Sequence, residues 1–355
     1  MQNPARQGES MRVAVLGGAG YIGSHTACVL VERGHEMVIG DNLSNGTIET
    51  VDRVRAITGK DCRFVQVDIR DRNAVTAMLK QGQFDAVLHF AALKSVGESC
   101  RQPVEYFDNN IAGTVQLLLA MQDSGCKTIV FSSSATVYGT PERMPLQETD
   151  ALGSTNPYGR SKLVTELMLQ DACRADPMLG AVCLRYFNPV GAHPSGLLGE
   201  SPTGVPDNLM PYICQVASGK RSHLSIFGGD WPTVDGTGVR DYIHVMDLAE
   251  AHADALACLH EQAGYRALNL GTGQGTSVLE LVHAFERVNG VRVPYRITAR
   301  RDGDVAEAYA DASEAARVLG WRTRRGIDAM CRDAWNWERD HLATAGAATP
   351  VLATA

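Results

Sequence analysis

The pentapeptide Tyr158-Gly159-Arg160-Ser161-Lys162 sets a phenol and an amine four positions apart. On a helix that spacing is about one turn, so both side chains leave the same face, one above the other. The preceding Asn156-Pro157 predicts a helix start, because Asn is a favoured N-cap and Pro suits the first helical position. A free phenol titrates near about 10, whereas a general base at neutral pH works best near about 7, a gap of about 4 kcal/mol. One cation about 5 Å away, in an effective dielectric of about 20, supplies about 3 kcal/mol of it. Lys162 can therefore provide much of the shift, and a second positive charge the rest. Such pairs also occur by chance on solvated helix faces, so the chemical reading depends on what else the chain carries.

The elements that must position this pair begin near the N-terminus. Met11 to Leu16 is a mostly apolar run ending in Gly17-Gly18-Ala19-Gly20-Tyr21-Ile22-Gly23, followed by a helical pattern to about Arg33. This is strand, tight glycine turn, helix. Gly17, Gly20 and Gly23 let the chain turn sharply, let a pyrophosphate reach the helix N-terminus and let the helix pack on the strand. A second apolar run, Met37 to Gly40, ends at Asp41, the distance at which an acidic residue meets the adenosine ribose hydroxyls. Asn42, Leu43 and Ser44 follow, with no Arg to receive a 2′-phosphate, so NAD is favoured over NADP. An oxidised nicotinamide ring would be the second positive charge that Tyr158 needs.

Apolar runs at Arg63 to Val67, Ala86 to Phe90, Thr128 to Phe131 and Ala181 to Leu184 alternate with helical patterns such as Ala74 to Leu79 and Pro103 to Gln122. That alternation predicts an α/β fold, a doubly wound parallel sheet of Rossmann type, with ligands beyond the strand C-termini. The residues ending the runs are then expected to face one crevice. They are Asp68-Ile69, Phe90 to Lys94, Ser132-Ser133-Ser134 and Tyr186-Phe187-Asn188. Asp68 could accept from the adenine amino group or cap a helix, a task Asp71 could do equally well. The serines could be turn residues or the partner of a reacting oxygen.

Beyond Gly191, Pro, Gly and Asn become frequent, through Gly204 to Asn208 and again from Phe227 to Gly238. These read as loops of a smaller C-terminal α/β substrate domain. Helical patterns are expected at Val245 to Leu259, Val278 to Val288 and Ile327 to His341, and strands at Ala267 to Leu270 and Val293 to Ile297. Residues 11–190 are expected to form the NAD-binding domain, with later segments returning to it, and 191–341 mainly the second domain. Residues 1–10 and 342–355 read as flexible tails.

Composition excludes several classes. A formal charge of -7 without a Lys/Arg cluster argues against a nucleic-acid partner. Nine scattered cysteines with no Cys-x-x-Cys pair fit reduced thiols in a cytoplasmic setting, and the ten histidines show no metal-ligand spacing, so no metal is expected. No stretch approaches the roughly 20 apolar residues of a membrane span.

With the glycine turn, Ser134 and the Tyr158–Lys162 pair in place, the chain resembles the extended short-chain dehydrogenase/reductases and, within them, the UDP-glucose (UDP-galactose) 4-epimerases. The likeness runs from about Met11 to Arg339 and includes GYIGSHT (20–26), FSSSATVYG (131–139), LRYFNPVGAHPSG (184–196), NLMPY (208–212) and DGTGVRDYIHVMDL (235–248). The resemblance implies that Tyr158 is the catalytic acid and base, that Lys162 tunes it and binds the nicotinamide ribose, and that Ser134 hydrogen-bonds the reacting sugar hydroxyl. With Gly17, Gly20, Gly23 and Ser132, it implies NAD contacts from Tyr21, Ile22, Asp41, Asn42, Leu43, Ser44, Asn45, Gly46, Asp68, Ile69, Phe90, Ala91, Ala92, Leu93, Lys94, Asn109 and Phe187. Asn188, Asn208, Leu209, Ser225, Phe227, Arg240, Arg301 and Asp304 match positions that hold the UDP moiety, and Lys94 serves both ligands. Two arginines suit a pyrophosphate.

The implied chemistry inverts a carbon whose hydrogen is not acidic. Tyr158 takes the 4-hydroxyl proton while a hydride leaves C4 for NAD. The anchored 4-keto sugar then turns and is reduced on its other face. A nucleotide-sugar 4,6-dehydratase would share the fold and the Tyr–Lys pair, but that family has an Asp-Glu pair where this chain has Ala135-Thr136. A non-catalytic NAD-sensing regulator would not be expected to keep the pair and the serine. Counting from Gly303-Asp304, the family position beside the sugar's 2-substituent falls at Ala308, with Ala310-Asp311 anchoring the register. A small residue there implies room for UDP-N-acetylhexosamines. The family's homodimers imply a homodimer here; segments Pro103 to Gln122 and Pro157 to Ala172 could pair with a second copy, or their apolar faces could equally pack on the sheet.

Overall fold

The structure, a computed structural model, describes residues 10–202, 204, 206–261, 263–301 and 303–347. The N-terminal strands are β1 (Arg12–Leu16), β2 (Glu36–Asp41), β3 (Arg63–Gln66), β4 (Ala86–His89), β5 (Thr128–Ser132) and β6 (Gly180–Tyr186). Then come β7 (Asn188–Val190), β8 (Leu224–Phe227), β9 (Val239–Arg240), β10 (Tyr242–His244), β11 (Gly264–Leu270), β12 (Thr276–Ser277), β13 (Tyr295–Thr298) and β14 (Glu307–Ala308).

Seven of these form one sheet in the order β11-β6-β5-β4-β1-β2-β3, with every neighbouring pair parallel. The strands read as nearly continuous apolar runs because helices cover both faces. Side-chain alternation divides each strand between two cores. Val13, Val15 and Leu88 point to the layer containing helices Tyr21–Glu32 and Val245–Glu261. Ala14, Leu16 and Val87 point to the layer of Arg72–Gly82, Gly113–Ser124 and Pro157–Ala175. The sheet order reverses between β1 and β4, which opens a crevice beyond their C-terminal ends.

A smaller region is built from the pairs β8–β13 and β7–β10 and the three-stranded sheet β12-β9-β14. It has its own core, in which Ile213, Leu281, Phe285 and Met330 are buried. The division is not a single cut, since helix Val245–Glu261 and β11 pack with the N-terminal sheet. The segment expected as one helix from Pro103 to Gln122 is interrupted by a π-helical turn at Phe107–Ala112. The final helix continues to Ala347, so the expected tail from 342 begins inside it, while 1–9 and 348–355 lie outside the described residues. Among the described residues, no helix is long and apolar enough to cross a membrane.

Candidate active site

Helix Pro157–Ala175 starts where the Asn-Pro signal puts it, with the Asn156 side chain accepting from the Gly159 N–H at 2.9 Å. Gly159 has a packing reason. A Cβ there would lie 2.2 Å from the Ser154 hydroxyl and 2.9 Å from the Thr136 carbonyl, so glycine alone lets the helix start abut the turn after β5. Tyr158 and Lys162 share one buried face. Lys162 Nζ donates to the Ser132 carbonyl at 2.8 Å and lies 5.8 Å from the centre of the Tyr158 ring.

The electrostatics differ from the simple tuning argument. Burial pushes the Tyr158 phenol well above its ordinary pKa, the nearby Tyr186 adds to this, and the Ser134 hydroxyl opposes it. Burial also pulls Lys162 down to about 7, against the opposing pull of Cys183 and Glu166. The chain by itself therefore keeps the phenol protonated. Making it a base needs a further positive charge on the open side of the ring.

Ser134 lies two residues beyond β5 and caps the 3-10 turn Ala135–Tyr138. Its Oγ accepts from the Thr136 N–H at 3.2 Å and from the Thr136 hydroxyl at 2.9 Å. With both lone pairs engaged, its own hydrogen is left to donate. Thr136 thus enters the site through Ser134, a role that its place in the sequence does not signal. Tyr186, one of the run-ending residues expected at the crevice, is there: its OH accepts from Ser132 Oγ at 3.3 Å. Its signal was its position as the last residue of β6, beside Phe187.

In the crevice, the three glycines have different duties. Gly17 sits at φ +77°, and a Cβ there would be 2.4 Å from the Ala91 nitrogen. A Cβ at Gly23 would be 2.5 Å from the Gly17 carbonyl, whereas one at Gly20 meets nothing nearer than that carbonyl at 3.3 Å. Gly17 and Gly23 make the close packing, and Gly20 faces the space a pyrophosphate would use. Asp41 accepts from Ala19 N at 3.0 Å and from Leu43 N at 2.8 Å, and Leu43 is held at φ 60°, rare for a bulky residue. Asn42 donates to Asp68 at 3.0 Å, and Ser44 N donates to Asn42 at 3.0 Å.

Asp68 does not cap the next helix. Asp71 does, accepting from Ala74 N at 3.0 Å, while Asp68 is clasped by Arg70, which holds its carboxyl well below the usual range. Beyond β4, Phe90 packs on His252 with ring centres 4.7 Å apart. Leu93 is gripped at both backbone polar groups by Asn110, which also accepts from Asn109 at 2.9 Å. Asn110 therefore fixes the chain after β4, and the π-helical turn sets Asn109 beside it. Tyr21 donates its OH to the Gly191 carbonyl at 2.7 Å, tying the glycine helix to the start of the C-terminal region. Glycine cradle, helix N-terminus and buried acid fit a dinucleotide with free ribose hydroxyls.

In the C-terminal region, Ser225 and Phe227 share the exposed face of β8. The Arg301 guanidinium lies 4.6 Å from the Phe227 ring centre and pairs with Asp304 at 3.1 Å. Arg240 has no carboxylate partner among the described residues; it hydrogen-bonds the carbonyls of Val239 and Ala306, and burial lowers its pKa. A partly buried cation so placed is suited to an anionic ligand. Ala308 is the direct strand partner of Arg240 and so shares its face, whereas Tyr309 packs toward Gly275 on the other. Asn188 lies on β7, Phe187 is buried beside it, and Asn208 precedes helix Leu209–Ala217 with its side chain donating to Glu200 at 2.7 Å.

The family model described as GDP-mannose 4,6 dehydratase matches residues 14–334. The chain is 54% identical over 332 residues to the UDP-glucose 4-epimerase of Bacillus subtilis, covering 94% of this chain and 98% of that one. It is 51% identical to the human UDP-glucose 4-epimerase, with 93% and 97% covered. Among solved structures, a UDP-glucose-4-epimerase from Stenotrophomonas maltophila with bound NAD and formylated UDP-arabinopyranose superposes with a TM-score of 0.93 at 55% identity, covering 94% of this chain and 99% of that one. One from Bifidobacterium longum in complex with NAD+ and UDP gives 0.90 at 47% identity, with 93% and 99% covered.

Proposed function

The chain belongs to the UDP-glucose 4-epimerase family, and from that premise we propose that it interconverts UDP-glucose and UDP-galactose at C4 through a transient 4-keto sugar, with NAD as its bound cofactor. The observation that carries this reading is the convergence of Tyr158, Lys162 and Ser134 beyond the C-terminal end of β5, in a sheet whose order reverses beside the glycine turn. NAD supplies, when bound, a reversible hydride acceptor for the sugar's C4 and the positive charge that the buried Tyr158 otherwise lacks.

Tyr158 exchanges the proton of the 4-oxygen, as base in one direction and acid in the other. Ser134, its acceptor sites filled by Thr136, donates to the same oxygen. Lys162 holds the pair in register through the Ser132 carbonyl and contributes charge beneath the ring. Arg240 and Arg301 anchor the pyrophosphate, and Phe227 and Ser225 line the uridine end. With the nucleotide fixed there, the hexose can present either face to the cofactor without dissociating.

The dehydratase description of the matched family model does not extend to the chemistry, because Ala135 and Thr136 offer no acid–base pair for losing water. Ala308 leaves space beside Arg240 for an N-acetyl group, which supports UDP-N-acetylglucosamine and UDP-N-acetylgalactosamine as further substrates. The active form is a homodimer, a reading supported by exposed Val104, Val115 and Leu167 on the helices of 103–124 and 157–175. A cytoplasmic location and the absence of a nucleic-acid partner are supported by nine free cysteines and the net charge of -7. Purified protein given UDP-galactose is expected to yield UDP-glucose and to release NAD on denaturation. A 4-keto-6-deoxy product, or no conversion by NAD-loaded protein, would contradict the proposal.

A further inference from the structure

One carboxylate joins the two halves of the site. Glu200 Oε1 accepts from Lys94 Nζ at 2.9 Å and from Asn208 Nδ2 at 2.7 Å. Lys94 follows β4 on the cofactor side, and Asn208 opens the helix Leu209–Ala217 on the nucleotide-sugar side. The Glu200 side chain is only 10% exposed, and its backbone carbonyl accepts from Trp337 Nε1 at 3.1 Å, so its position is set by the final helix. A second strut runs alongside, with Ser95 Oγ donating to Asp207 at 2.7 Å, again linking the chain after β4 to the segment before the helix.

The charge balance gives this geometry a purpose. An unpaired Lys94 at the crevice mouth would be drawn to any phosphate, whereas paired with Glu200 it is fixed and neutralised. The same oxygen orients the Asn208 amide, leaving its carbonyl to face a ligand. Resting on the epimerase reading above, we propose that Glu200 is a positioning residue that sets the nucleotide-sugar half of the site against the cofactor half. It touches neither the reacting atoms nor, on this geometry, the ligands themselves.

The test uses the full chain with NAD bound, measuring UDP affinity by calorimetry together with kcat and KM for UDP-galactose. Loss of a charge-assisted hydrogen bond pair predicts about a tenfold rise in KM and in the Kd for UDP in Glu200→Ala, with kcat within about twofold. Glu200→Gln, which keeps an acceptor for Asn208 but loses the ion pair, is expected to show about a threefold rise. In the Glu200→Ala background, Asn208→Ala is expected to cost less than it does in the parent protein, the sign of a shared interaction. If UDP affinity and KM stay at parental values in both variants, or if kcat falls while KM does not move, the inference is overturned. Melting temperatures identify a variant that has merely unfolded, and Glu200→Gln then decides. Turnover by the parent protein tests the epimerase reading separately.

Discussion

Glu166 lies one further turn along the helix face that carries Tyr158 and Lys162, and its carboxylate meets the Arg185 guanidinium at 2.6 Å. The pair is buried, and Ser133 Oγ donates to the same carboxylate at 2.5 Å. Arg185 in turn donates to the Tyr138 OH at 3.0 Å, which donates to Asn269 at 2.6 Å. The strand ends holding Ser132 to Ser134 and the catalytic helix are thus fixed to each other by ionic contacts behind the site.

Removing one partner of that pair strands a buried charge. Glu166→Ala is expected to lose about 3–5 kcal/mol of stability in urea denaturation, and the double variant Glu166→Leu/Arg185→Met distinctly less. A double variant that loses as much as the two single variants summed would show that the pair is not coupled.

Acid should destabilise the fold through buried histidines. Burial pulls His25 and His89 down to about 3 and His252 to about 4, from an ordinary value of 6.5, and each has a ring nitrogen without a hydrogen-bond partner. Between these values and 6.5 the unfolded chain binds more protons than the folded one, so stability is full above about 6.5 and is lost as pH falls toward 3 to 4. Melting temperature is expected to drop by several degrees from pH 7 to 5, and less steeply in His252→Gln. A flat profile would contradict the assignment of these rings as neutral.

The substrate range turns on one small side chain. Ala308→Tyr is expected to cut turnover of UDP-N-acetylgalactosamine by about 100-fold while leaving UDP-galactose within about threefold, because the added ring fills the space beside Arg240. Retained activity on the acetylated sugar in this variant would place the gate elsewhere.

Much of this was legible in the chain. The Asn156-Pro157 signal located the catalytic helix, and the apolar runs gave the parallel strands, because caps and continuous burial are local properties. The edge strand β11 was visible only as its last four residues, since the three before them, Gly264 to Arg266, are only partly buried. Thr136 and Asn110 escaped because their roles depend on contacts with other residues, and single hydroxyls and amides carry no periodic signal. Lys162 taught the reverse lesson. Spacing placed it near Tyr158, but only the fold shows that burial, which spacing cannot report, works against the charge of both groups.

The most direct test is the rate of UDP-galactose to UDP-glucose conversion by Tyr158→Phe, in protein shown to retain NAD. Loss of the general acid and base predicts a fall of about 100-fold to 10,000-fold in kcat with little change in UDP affinity. Conversion at the parental rate would mean that another group moves the proton, and the account would be wrong at its centre.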